Sequence, residues 1–168
     1  MNTQPITSTE SQSGEVSSPP QRRTMGVLDA AVALKALRGF ISPLQLQAIG
    51  NGVRSDDRQF FIEKLCELAA RVTAMPKTYA QEGLGGAALA HLHYFTGGGD
   101  WYITEKDMES EQHQATGLVD LGFGSEFGYI SIVELIENNV ELDLHFTPKP
   151  LKEIDAEFYR NNSNGPSM

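Results

Sequence analysis

The chain has 168 residues, 40% of them hydrophobic, and a formal net charge of −9. That length and apolar content suit one domain with a real core, while no apolar run approaches the roughly 20 residues of a membrane span and no basic region leads an apolar stretch as in a secretory signal. The single cysteine, Cys66, excludes an internal disulfide and a cysteine-based zinc site, and it fits a reducing, cytoplasmic setting.

The chain begins with Ser, Thr, Gln, Glu and Pro and almost no large apolar groups over residues 1–24. Such a segment cannot bury enough surface to offset its ordering entropy, so a disordered tail is expected. Residues 26–38 predict a short helix, with Val27, Leu28, Ala31, Leu34 and Leu37 on one face and Gly39 as its stop. Ser42 is placed to cap a second helix with Pro43 at its first position. Ser55 is placed to cap a third, running from Asp56 to about Ala74. Phe61, Leu65, Leu68 and Val72 give its apolar stripe, and Phe60 widens it. Cys66 sits among helix formers in this segment, where core packing is the ordinary role of a free cysteine.

Residues 77–87 form a Gly-rich connector without the Lys-Ser/Thr pair of a phosphate loop. Ala88 to Phe95 alternates as a strand, with Leu89, His91, His93 and Phe95 on one face. A hairpin loop at Thr96–Gly99 leads to a returning strand at Asp100–Glu105, where Trp101 and Ile103 share one face and Tyr102 and Thr104 the other. A polar loop follows, and then strands at Ala115–Phe123 and Phe127–Ile132. Ser131 caps a short helix over 133–137. Val140 to Phe146 is the clearest alternating strand, with Glu141, Asp143 and His145 pointing one way. Leu151 to Arg160 reads as a terminal helix.

The expected architecture is α+β: a helical layer over 26–75 packed on a mostly antiparallel sheet over 88–147. A C-terminal helix over 150–160 closes a single domain spanning 25–160, and 161–168 form a short tail.

Charge is uneven along this plan. Residues 25–78 carry 7 basic and 5 acidic side chains, and residues 79–168 carry 4 basic and 15 acidic. The acidic half repels phosphate, which argues against direct nucleic-acid binding and points to a protein partner with a basic surface. Solubility is the plainer use of the same charge. Two constellations stand out within that half. His91, His93, Asp143 and His145, with Glu141, would line one sheet face if their strands pair; imidazole and carboxylate there would suit a divalent metal, although any solvated face has the same period. Otherwise no cofactor is indicated. Asp100, Trp101, Tyr102 and Glu105 beside the triple glycine, with Glu126 and Tyr129, form a candidate partner-binding surface extended by Asp107, Glu109 and Glu111. For Trp101 by itself, simple core packing is preferred to a contact role. In the helical part, Arg54, Arg58, Lys64 and Arg71 could face phosphate, but Asp56, Asp57, Glu63 and Glu67 interleave with them.

Three segments together, HYFTGGGDWYITEKD, GLVDLGFGSEFGYISIVEL and ELDLHFTPKPLKEI, resemble the DUF2958 family, a domain of unknown function carried by plasmids, integrative elements and phages. The resemblance spans about residues 90–155. The matching positions include Phe95, Trp101, Tyr102, Thr104, Glu105, Gly117, Asp120, Gly128, Tyr129, Glu141, Asp143 and Phe146. It implies a mobile-element accessory protein in the host cytoplasm, without a defined reaction. With the acidic second half, the first expectation is a module that binds a host or defence protein, possible homo-oligomers included. The alternatives are a metal-dependent hydrolase or ligand-binding domain on the His/Asp face, and a DNA-associated regulator acting through residues 43–72.

Overall fold

Three helices come first among the described elements, because two turns separate three apolar stripes. α1 (Val27–Leu37), α2 (Pro43–Gly52) and α3 (Arg58–Ala74) follow the expected order. The computed structural model describes Met1 and residues 23–162; most of the expected tails over 1–24 and 161–168 lies outside the described residues. The Ser42 hydroxyl accepts the Gln45 amide and caps α2. Ser55 does not cap α3. Its hydroxyl bonds the Gly52 carbonyl and the Asp57 amide, shaping the turn before a helix that begins three residues later. Of the stripe expected on α1, Leu37 is buried and Leu34 packs against the core, but Ala30 and Ala33 replace Val27, Leu28 and Ala31, which are exposed. Small residues there let α1 lie close against α3. Along α3 the buried residues are Ile62, Leu65, Leu68, Ala69 and Val72, so the stripe is turned away from Phe60, which is exposed.

The strands are β1 (Leu89–Ala90), β2 (Leu92–Thr96), β3 (Gly99–Glu105), β4 (Ala115–Asp120), β5 (Ser125–Ile130), β6 (Glu141–Leu142) and β7 (Lys149–Pro150). Five of them make an antiparallel sheet in the order β5-β4-β3-β2-β6, and β1 pairs with β7. Between β5 and β6 lies α4 (Ile132–Glu137), capped by Ser131 as the sequence predicts. After β7 the expected terminal helix is two pieces, α5 (Leu151–Ile154) and α6 (Ala156–Asn162). Asp155 divides them, because its carboxylate accepts the Phe158 amide and starts a new helix. No helix among the described residues is long and apolar enough to cross a membrane.

The sheet has a core on each side. Leu92, Tyr94, Ile103, Ala115, Ile130 and Leu142 pack with α1, α3 and α4. On the other side Ala88, Ala90, Leu118, Phe146 and Leu151 are buried beneath Ile154, Phe158 and Tyr159 of α5 and α6. Tyr94 is fully buried and its hydroxyl donates to the Phe40 carbonyl at 2.7 Å, joining sheet to helices. Gly117 sets the approach of β4 to β3: a Cβ there would sit 2.1 Å from the Tyr102 carbonyl oxygen. That explains a glycine in the middle of a strand.

Strand expectations change in five places, the first two at strand ends: β4 ends at Asp120 rather than Phe123, and β5 runs from Ser125 to Ile130 rather than from Phe127 to Ile132. The strand expected from Ala88 to Phe95 breaks at His91: Ala90 enters one core and Leu92 the other, which regular alternation forbids. β3 carries a bulge between Ile103 and Glu105, so Glu105 stands directly opposite Thr116. The strand expected over 140–146 stops at Leu142. The Asp143 carboxylate accepts the His145 amide at 2.8 Å, and this local turn outcompetes the ladder.

Candidate functional site

The side of the sheet away from α1–α3 is only partly covered by the C-terminal helices, and at its uncovered end stands His93. Strand register puts His93 opposite Tyr102, and their rings stack at 4.5 Å and 7°. The turn at the start of β3 brings Asp100 to one side of the imidazole, with Nε2 2.7 Å from Oδ1. The turn after β6 brings Asp143 to the other, with Nδ1 3.2 Å from Oδ2. Phe95 and Phe146 complete the surround, each 5.6 Å from the imidazole centroid. A doubly protonated ring donates to both carboxylates; a neutral ring donates to only one.

Burial raises the Tyr102 phenol above its ordinary value, and the charges of Asp100, Asp120 and Asp143 raise it further. Three carboxylates therefore act on one aromatic ring. Among the described residues, the only ion-pair partner of Asp100 and Asp143 is His93, and Asp120 has none. At the edge of the cluster, Lys149 Nζ lies 5.9 Å from the Phe146 ring centroid.

This cluster merges the two sequence constellations and discards parts of each. His93 and Asp143 come from the metal set, and Asp100 and Tyr102 from the partner set. His91 is elsewhere, beside Arg71; burial and that charge lower its pKa and favour the neutral ring. His145 stacks on Phe60 of α3 at 5.8 Å. Among the described residues no three His, Cys, Asp or Glu side chains are disposed to hold a metal. Glu141 is exposed on β6, opposite Phe95. Trp101 points to the helix-facing core, on the opposite side of β3 from Tyr102, so the strand separates two residues expected to act together.

Glu105 and Asp107 are also corrected, since neither is surface. Glu105 is 3% exposed; it accepts the Tyr79 amide (2.8 Å), the Gln81 amide and the Thr116 hydroxyl (2.8 Å). Through these bonds it shapes the Gly-rich connector. Gln81 then uses its side-chain amide to bridge Leu89 and Thr104. Asp107 accepts the amides of Glu109, His113 and Gln114. The Glu109 amide is the main cause holding its carboxyl below the usual range. Glu109 and Glu111 are exposed on the loop so formed, beyond the end of β3 opposite to Asp100. Glu126 and Tyr129 are exposed on β5; the Tyr129 hydroxyl lies 2.6 Å from that of Tyr79. Sequence reasoning missed Asp120 and Phe146 as site residues. Asp120 ends a strand in phase with Leu118 and Thr116, a signal that became informative only with the register. In the helical part, Lys64 and Arg71 pair with Glu67, and Arg71 also holds the Phe146 carbonyl.

Fold and site define a class: an α+β module with a helix-backed sheet and an open face that is acidic and aromatic. The chain belongs to the family described as Protein of unknown function (DUF2958), whose model matches residues 64–155. The family segment thus begins inside α3, earlier than the sequence resemblance at about residue 90, and includes the helix surface that carries Leu65, Leu68 and Val72. No curated protein and no solved structure matches the chain.

Proposed function

We propose that this chain is an acidic protein-binding module whose open sheet face takes a basic surface of a partner. The observation that carries the reading is that Asp100 and Asp143 flank the imidazole stacked on Tyr102, at 2.7 and 3.2 Å, with Asp120 registered opposite Asp100, and no lysine or arginine of the described residues is paired to any of the three. Carboxylates beside aromatic rings suit a lysine or arginine head, which gains charge-assisted hydrogen bonds and a ring face together. Excess acid in the sheet half would also steer a basic partner into contact. In the mobile-element setting that the family resemblance implies, the partner is a host or defence protein, and the module acts by occupying it.

Affinity capture of the full chain from its host, with and without nuclease, tests this. The expected result is a stoichiometric protein partner that survives nuclease, is released by salt, and is lost when Asp100, Asp120 and Asp143 are all replaced by Asn. A partner retained unchanged by that triple variant would overturn the reading, as would one released by nuclease.

A further inference from the structure

The two edges of the five-stranded sheet are finished differently. At the β6 edge the buried Gln45 amide donates to the Leu142 carbonyl at 2.7 Å and accepts the Leu142 amide at 3.0 Å. A side chain from α2 thus completes the ladder as a further strand would. At the opposite edge, β5 runs for six residues and pairs only with β4. Among the described residues, no backbone group of Ser125–Ile130 bonds anything beyond that pairing. An edge strand leaves every second N–H and C=O unpaired, and proteins ordinarily blunt such edges with charged side chains, lysine above all, with proline or with a covering element; on β5 the one charge is Glu126. SEFGYI has no lysine and no proline. It instead exposes Phe127 and Tyr129, and Phe123 in the preceding turn is fully exposed.

The charge around this edge identifies what fits it. At its start Ser125 is registered with Asp120. Glu126 stands on the strand, and Glu82 lies close enough to Tyr129 to raise its phenol, after the larger effect of the Tyr79 hydrogen bond. A second copy would bring the same carboxylates to the same edge, so like charge opposes self-pairing. We infer that β5 is the docking strand for an extended basic segment of a partner protein, which adds to the sheet as a further strand, with main-chain hydrogen bonds to β5, cations on the flanking carboxylates and apolar side chains on Phe127 and Tyr129. This inference rests on the reading of the chain as an acidic binding module and adds how the partner is held.

The probe is a fluorescein-labelled peptide of about ten residues, long enough to span an ordinary strand, with lysine alternating with valine. Its controls are the same peptide N-methylated at alternate residues and a glutamate-valine peptide. Fluorescence anisotropy with the full chain, together with amide hydrogen exchange, gives the readout. The lysine-valine peptide should bind and slow exchange at β5 amides, and N-methylation should weaken binding by about tenfold or more. Equal binding of the N-methylated peptide would overturn strand addition while leaving the acidic-face reading in place. Equal binding of the glutamate-valine peptide would overturn the basic partner and with it the acidic-face reading. Absence of binding by either peptide, or β5 protection that appears without peptide and rises with protein concentration, would overturn the inference, the latter in favour of a second copy.

Discussion

Glu105 and Asp100 stand at opposite ends of β3, and each carboxylate belongs to a hydrogen-bonded network, yet they have different uses. Glu105 has three donors from its own chain and almost no solvent contact. A carboxylate offers about four lone-pair positions, so little of Glu105 is left for a partner. Asp100 is 43% exposed at its side chain and meets one His93 nitrogen. Its remaining capacity faces solvent, as does part of Asp143, which is 28% exposed. An acidic side chain in a strand pattern therefore has no fixed meaning. Whether the fold consumes its lone pairs decides between structure and recognition.

The largest effect should come from breaking what both networks share, the close approach of β3 and β4. Gly117→Ala puts a methyl group against the Tyr102 carbonyl, with an expected loss of about 4 kcal/mol or failure to fold. Its registered neighbour Gly128 has open space where a Cβ would go, so Gly128→Ala should stay within about 1 kcal/mol. Thermal midpoints of the two variants give the test, and equal midpoints would contradict the close approach of the strands.

Next in size is the interior network alone. Glu105→Ala leaves two amides and a hydroxyl without their acceptor, at an expected cost of roughly 3 kcal/mol. Glu105→Gln keeps one acceptor oxygen and should lose roughly half as much. Urea unfolding midpoints measure both. A change under about 1 kcal/mol for the alanine variant would remove the contrast with Asp100.

The smallest effect on stability, and the sharpest on electrostatics, belongs to the exposed network. Replacing Asp100 and Asp143 by Asn should change stability by about 1 kcal/mol. It should also lower the Tyr102 phenol toward its ordinary value of 10.0, leaving it above that value because burial remains. The sign follows from like charge: a nearby carboxylate opposes formation of phenolate. A raised folded-state pKa contributes stability that is complete below pH 10 and is lost as pH rises through the shifted value. The alkaline decline of the double variant should therefore begin at the same pH, set by the unfolded phenol, but end at lower pH and be smaller. Tyrosinate absorbance, with Tyr102→Phe to assign the transition, checks this; an unmoved transition would mean the carboxylates do not bear on the ring.

Much of the plan was legible in the chain itself. Pro43 after Ser42, the glycines at 97–98 and the Ser131 cap are local signals with local causes, so α2, the β2–β3 hairpin and α4 follow from neighbouring residues. The α+β order and the family motifs are likewise properties of the sequence. Only the tertiary structure decided which side chains meet. A bulge at Ile103–Glu105, a break at His91 and a turn at Asp143 each reset a two-residue period, and one such reset moves every later side chain to the other face. Strand order then joined His93 to Asp100 and Asp143 across 7 and 50 residues of chain. Periodicity reports which residues of one strand agree; it carries no information on which strands become neighbours, because that choice is made by packing against the helices.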